Sequence, residues 1–186
     1  MAGHRIHIFG ASGAGTTTVG RMLATELASQ HFDSDDFFWL PTDPPFRKKR
    51  QMPERVELMQ QVFLPRRDWI LSGSIDSWSV GIAERFTLAV FLEMETQPRV
   101  ERLRRREEHR MRLAEVLDGP EREDIEAFLE WAAGYDDGLL AGRNRMRHEA
   151  WAEQLDCPVL RTSANETVAM IVDRIMGELD PPMERS

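Results

Sequence analysis

Apolar side chains fall along this chain in short, separated runs, and their spacing assigns the elements. Arg5-Ile-His-Ile-Phe9 alternates and is rich in β-branched residues, which predicts a strand. Trp69-Ile-Leu71, Leu88-Ala-Val-Phe-Leu92 and Pro158-Val-Leu160 are continuous short apolar runs of the kind buried on both faces of a sheet, and a briefer run around Gln30 to Phe32 is a fifth strand. After the first strand, Val19, Met22, Leu23 and Leu27 recur at helical spacing between Thr18 and Ala28. Arg99 to Leu117 reads as an arginine-rich helix, broken by Gly119-Pro120. A second helical stretch from about Glu121 to Gln154 is interrupted at Gly134, Gly138 and Gly142. Strands alternating with helices predict a parallel sheet. Residues Pro41 to Arg50 run proline-rich and then basic, so they form neither regular helix nor central strand.

Length and charge narrow the picture. At 186 residues the chain builds one sizeable core, read here as a single domain over residues 1–180 followed by a disordered tail over 181–186. A formal net charge of −8 argues against a general grip on nucleic acid, whereas a small anionic ligand needs only a local basic site. The single cysteine, Cys157, has no intrachain disulfide partner, no segment reads as a targeting signal, and no apolar run is long enough to span a bilayer. The expectation is a cytoplasmic protein without membrane contact.

The chemistry begins at Gly10-Ala-Ser-Gly-Ala-Gly-Thr-Thr17, between the first strand and the first helix. Its spacing follows G-x-x-x-x-G-K-[S/T], in which successive backbone N–H groups wrap a phosphate and the helix N-terminus adds its positive end. Gly10, Ser12, Gly13, Ala14, Gly15, Thr16, Thr17 and Thr18 are therefore the candidate nucleotide-binding positions. Thr16 stands where the pattern has lysine. A lysine there would give a charge-assisted contact worth about 1.5–3 kcal/mol, and threonine offers only a neutral hydroxyl. An arginine from elsewhere must supply the charge, or activity is weak.

With this loop, an acidic end to strand 2, a serine-glycine turn after strand 3 and an arginine-rich helix after strand 4 in order, the chain resembles the P-loop kinases of the adenylate kinase and shikimate kinase group. The resemblance implies a three-layer α/β P-loop NTPase fold: a parallel five-stranded sheet, helices on both faces and a helical lid at about residues 104–145. It implies ATP and Mg²⁺ as cofactors, phosphoryl transfer to a nucleotide or other small metabolite, and Thr17 and Asp35 at the metal. Asp33 or Asp35 matches the carboxylate that helps hold Mg²⁺ or orients the acceptor hydroxyl. Ser72, Gly73 and Ser74 match the acceptor turn, with Ser72 where nucleotide kinases carry aspartate. Arg102 and Arg106, out of seven arginines between Arg99 and Arg112, match lid arginines. Arg143, with Arg145 close behind, matches a further phosphate contact, and Arg161 to Asn165 matches the loop beside adenine.

Other positions rest on their own chemistry. Arg47 and Arg50 in the basic loop suit an anionic acceptor. Phe38 and Trp39 could stack on a base or simply pack the loop, and His148 suits a packed helix face with Trp151. For the aspartates the alternative is helix capping, for the 72–74 segment a plain turn, and for most of the arginines a solvated helix paired with Glu101, Glu107 and Glu108. The missing lysine, together with Ser72, also fits a second reading: a catalytically weak or inactive nucleotide-binding regulatory protein. The sequence leaves the acceptor and the oligomeric state open.

Overall fold

A computed structural model describes residues 3–43, 45–113, 120–138 and 141–179. The proposed tail at 181–186 and parts of the expected lid lie outside them. Five strands form one sheet: β1 (Arg5–Gly10), β2 (His31–Asp33), β3 (Trp69–Ser72), β4 (Leu88–Glu93) and β5 (Val159–Ser163). Their order is β2-β3-β1-β4-β5 and every pairing is parallel. β1 is therefore central, with Ile8 opposite Ser72 on one side and Val90 on the other. The fold is the three-layer α/β P-loop arrangement.

Alternation along the strands divides the core. Ile6, Ile8, Ile70, Val90 and Leu92 pack against α1 (Thr16–Glu26) and α7 (Val168–Leu179) through Val19, Leu23, Ile171, Val172 and Ile175. On the opposite face, Phe9, Trp69, Leu71 and Phe91 meet Met59 of α3 (Met52–Val62), Phe63 just after it, and Trp151 from α6 (Arg145–Ala152). This second face also buries His7, stacked between Phe9 and Phe86 at 5.6 and 4.8 Å, and desolvation lowers its pKa from 6.5 to about 3. The imidazole is neutral, with Nδ1 hydrogen-bonded to the Leu71 carbonyl at 3.1 Å.

A smaller cluster joins α4 (Thr96–Leu113) to α5 (Pro120–Ala133) through Leu103, Ile125, Leu129 and Ala132. The long helical stretch expected to run to Gln154 is two helices, α5 and α6. The break contains Gly138 and Gly142 at positive φ, and Asn144 caps α6 by accepting the Arg147 N–H. The segment from Arg161 was expected as loop, but β5 continues to Ser163 because Phe91, Leu92 and Glu93 of β4 pair with it that far.

Candidate functional site

β1 ends at Gly10, five residues turn, and α1 starts at Thr16. Gly10 sits so close to β4 that a Cβ there would lie 2.4 Å from the Leu92 carbonyl oxygen. Gly15 caps α1 in the left-handed region at φ 96° with no side-chain cap, so the first-turn N–H groups have no side chain to satisfy them and face whatever anion the loop holds. The loop is thus built of small residues up to Thr16, which adds no charge.

Beneath it, the ends of β2 and β3 meet α1. The Thr17 hydroxyl donates to Asp33 Oδ2 at 2.6 Å, and Ser72 Oγ donates to the same oxygen at 3.3 Å. His31 Nε2 lies 2.9 Å from Ser72 Oγ. The other oxygen, Asp33 Oδ1, accepts the Asp35 N–H at 3.1 Å and so caps the short helix α2 (Ser34–Phe38). One aspartate therefore both caps a helix and binds Thr17. Asp35 lies two residues further on, in the first turn of α2. Burial, then the neighbouring Asp33 charge, raise its pKa, while Arg143 pulls it the other way. Asp36 is raised by the same two causes in the same order.

Among the described residues, no group of three or more His, Cys, Asp or Glu side chains is placed to hold a metal ion. A protein cage is not what Mg²⁺ in a phosphate site needs: one or two oxygen ligands suffice when phosphates and water complete the octahedron. The Thr17 hydroxyl, oriented by Asp33, fits that donor set.

Arginines reach the loop from two directions. Arg143, in the turn between α5 and α6, donates from Nη1 to Ser12 Oγ at 3.1 Å. Its guanidinium lies 5.9 Å from the Trp131 ring. Arg99, from the first turn of α4 and fully buried, donates to the Ser12 carbonyl at 3.1 Å. The other candidate arginines are engaged elsewhere. Arg102 donates to the Ala164 carbonyl at 3.3 Å, beside the segment that follows β5. Arg106 is well exposed and pairs with Glu107 at 2.8 Å. Arg145 binds Asp136 at 2.7 Å and Glu93 at 3.1 Å. In the basic loop, Arg47 pairs with Asp124 of α5, and Arg50 donates to the Phe37 carbonyl at 3.1 Å. Arg55, which the sequence did not single out, lies 3.9 Å from the Phe38 ring centroid and 5.4 Å from that of Trp78.

The turn after β3 carries a second unanticipated feature. Gly73 adopts φ +98° and donates its N–H to the Ile8 carbonyl at 3.0 Å, which ties the turn to β1. Ser74 Oγ lies 2.6 Å from Nε2 of fully buried His148, whose Nδ1 is 2.9 Å from the Tyr135 hydroxyl. Burial foremost, then the charge of Arg143, lower the His148 pKa to about 3, so the ring is neutral and carries one proton between two hydroxyl partners. Arg147 of the same helix pairs with Asp76 at 3.1 Å. The 72–74 turn is thereby fixed to α6, and Tyr135, beside Arg99 and Arg143, joins it to the region next to the loop.

Comparisons with known proteins bear on both fold and ancestry. The uncharacterized protein YqaC of Bacillus subtilis strain 168 is 40% identical over 174 residues, spanning 94% of this chain and 96% of that protein. No protein-family model matches. Among solved structures, a shikimate kinase from Bacteroides thetaiotaomicron superposes with a TM-score of 0.55 at 18% identity, covering 96% of this chain and 99% of that one. A gluconokinase from Sinorhizobium meliloti gives 0.54 at 15% identity, over 95% and 91% of the two chains. A deoxyadenosine kinase from M. mycoides gives 0.51 at 15%, over 95% and 98%. At such identities the likeness is one of fold, the α/β fold of the P-loop kinases.

Proposed function

The chain belongs to the family of Bacillus subtilis YqaC, and from its P-loop kinase fold and site geometry we propose that it is an ATP-dependent phosphotransferase acting on a nucleotide or another small metabolite. The observation that carries this reading is the placement of Arg143, 3.1 Å from the Ser12 hydroxyl of the glycine-rich loop. The loop itself lacks the cation a triphosphate needs, and a guanidinium stands beside it.

In this reading, backbone N–H groups from Gly13 to Thr18 hold the phosphates, and Arg143 supplies the charge that Thr16 does not. Thr17, oriented by Asp33, is the protein ligand for Mg²⁺, which when bound draws charge from the phosphate oxygens. Asp35 and the Gly73 to Ser74 part of the turn face the acceptor, Asp35 orienting its hydroxyl, while the buried Ser72 hydroxyl supports Asp33 from below. Arg102 borders the nucleoside, given its bond to the Ala164 carbonyl, while Arg106 contributes only if it leaves Glu107. Arg47 and Arg50 sit beside an anionic acceptor. Catalysis is positioning and charge stabilisation, as phosphoryl transfer requires.

Ser72 and Thr16 favour a second reading, a nucleotide-binding regulatory protein with little or no turnover. An assay of Mg²⁺-dependent ATP consumption against a panel of nucleosides, nucleotides, sugar acids and hydroxy acids separates the two. Wild type is expected to turn over with one acceptor class, and Arg143→Met to lose about 10- to 100-fold in kcat/KM, the equivalent of one charge-assisted phosphate contact. Thr16→Lys should restore much of that loss. ATP binding without turnover across the panel would support the regulatory reading, and full activity in Arg143→Met would remove the assigned role of this arginine.

A further inference from the structure

Arg99 is a cation with almost no exposure to solvent, and its nearest carboxylate is only partly available to it. Asp136 Oδ2 lies 3.9 Å away, while the same side chain also accepts from Arg145 and Thr96. The remaining donors of Arg99 go to neutral oxygens: the carbonyls of Ser12 and Ala132 at 3.1 and 2.8 Å, and Thr96 Oγ1 at 3.3 Å. Its Nε has no partner. A buried charge so incompletely paired is costly unless another anion comes near.

The bond to Ser12 has a directional consequence. Across a planar trans peptide the carbonyl and the following N–H point opposite ways, so a Ser12 carbonyl drawn onto Arg99 turns the Gly13 N–H away from it. The Arg99 side is closed, because a Cβ on Gly13 would lie 2.9 Å from the Arg99 carbonyl and 2.8 Å from Leu103 Cγ. A cation on the carbonyl also polarises the amide and strengthens its N–H as a donor. Ser12 is held at both ends, its carbonyl by Arg99 and its hydroxyl by Arg143.

We propose that Arg99 is a positioning residue for the nucleotide's phosphates: it aims a polarised Gly13 N–H into the loop, and with Arg143 it replaces the field of the absent lysine. This rests on the nucleotide-binding reading above and assigns it a residue outside the glycine motif. Arg99 touches no phosphate; its effect passes through one peptide.

The test is the affinity ratio of ADP to AMP, measured by titration calorimetry with Mg²⁺ present on wild type, Arg99→Met and Arg99→Lys. The ratio isolates what the β-phosphate adds, and a merely structural role would weaken both nucleotides together. Arg99→Met is expected to lower the ratio about tenfold, the size of one charge-assisted contact, and Thr16→Lys in that background to restore it. Arg99→Lys keeps a charge but not the planar group whose Nη1 serves Ser12 and Ala132 while Nη2 reaches Thr96. If Arg99→Met does not fold, Arg99→Lys carries the test, with at least a threefold fall expected. An unchanged ratio in the folded variant overturns the proposal while leaving nucleotide binding intact. If wild type itself gains no affinity from the β-phosphate, the nucleotide-binding reading fails and takes the proposal with it.

Discussion

Acid should destabilise this protein well before its carboxylates titrate, because two of its histidines are buried as neutral rings. His7 and His148 are both fully inaccessible, and burial lowers each pKa from 6.5 to about 3. In the unfolded chain both protonate near pH 6.5. Below that, the unfolded state binds more protons than the folded one, and folding stability falls as the pH falls. At 1.36 kcal/mol per pH unit, moving from pH 7.5 to 5.5 removes about 1.4 kcal/mol for each ring and roughly 3 kcal/mol for the pair. His31, also lowered by burial, acts in the same direction. Asp35 and Asp36 act in the opposite one: their raised pKa values let the folded state take up protons first, so acidification favours folding there. Urea unfolding at the two pH values reads the difference directly. His7→Phe keeps an aromatic ring between Phe9 and Phe86 and should flatten the dependence by about 1.4 kcal/mol, whatever its own stability at pH 7.5. Equal stability at the two pH values, or a His7→Phe slope matching wild type, would refute the reasoning.

Two further perturbations address the site. Asp33→Asn keeps an oxygen to cap α2 but loses the anion that orients the Thr17 hydroxyl, so the Mg²⁺ needed for half-maximal ATP turnover should rise about 10- to 100-fold; an unchanged requirement would separate Asp33 from the metal. Gly73→Ala forces a side chain onto φ +98° and places its Cβ 2.0 Å from Ser34 Oγ, so urea unfolding should show a loss of more than about 2 kcal/mol. Adding Ser34→Ala removes that oxygen and should recover part of the loss, but not the backbone share.

The sheet was readable because a parallel sheet covered on both faces turns its strands into apolar runs that no loop imitates. β2 shows the limit: its three residues are held by pairing with β3, a nonlocal cause that leaves little local pattern. The α2 helix was hidden for a related reason. It is five residues long and exists because Asp33 caps it, and the same aspartate reads equally well as a metal or acceptor ligand. α7 is a different case: Val168, Ile171, Val172, Ile175 and Leu179 recur at helical spacing, yet this helix is missing from the elements assigned on sequence alone, which stop at the fifth strand. Within the site, the glycine spacing identified the loop, and the missing lysine pointed toward a compensating arginine. Composition could not rank the arginines of α4. Helical phase would not have ranked them either: Arg99 and Arg106 are seven residues apart and share nearly the same side of α4, and what separates them is that Arg99, in the first turn, is buried against Ser12 and Ala132, whereas Arg106, two turns on, is exposed.

That difference in burial has a mechanistic meaning. A lysine inside the loop places its charge by local sequence alone, but a distant arginine must be brought in and held by tertiary structure. Arg143 follows Gly142, in the left-handed region, and precedes Asn144, which caps α6. The next residue, Arg145, is bound to Asp136 on one side and to Glu93 at the end of β4 on the other, so the turn carrying Arg143 is fastened to the sheet. Arg99 grips the same region from below, through the Ala132 carbonyl and beside Asp136. The proposed phosphate cation is therefore anchored on the core and not on an exposed stripe. In the kinase reading it stands beside the loop already, so the charge a triphosphate needs is positioned without a rearrangement of the turn that carries it.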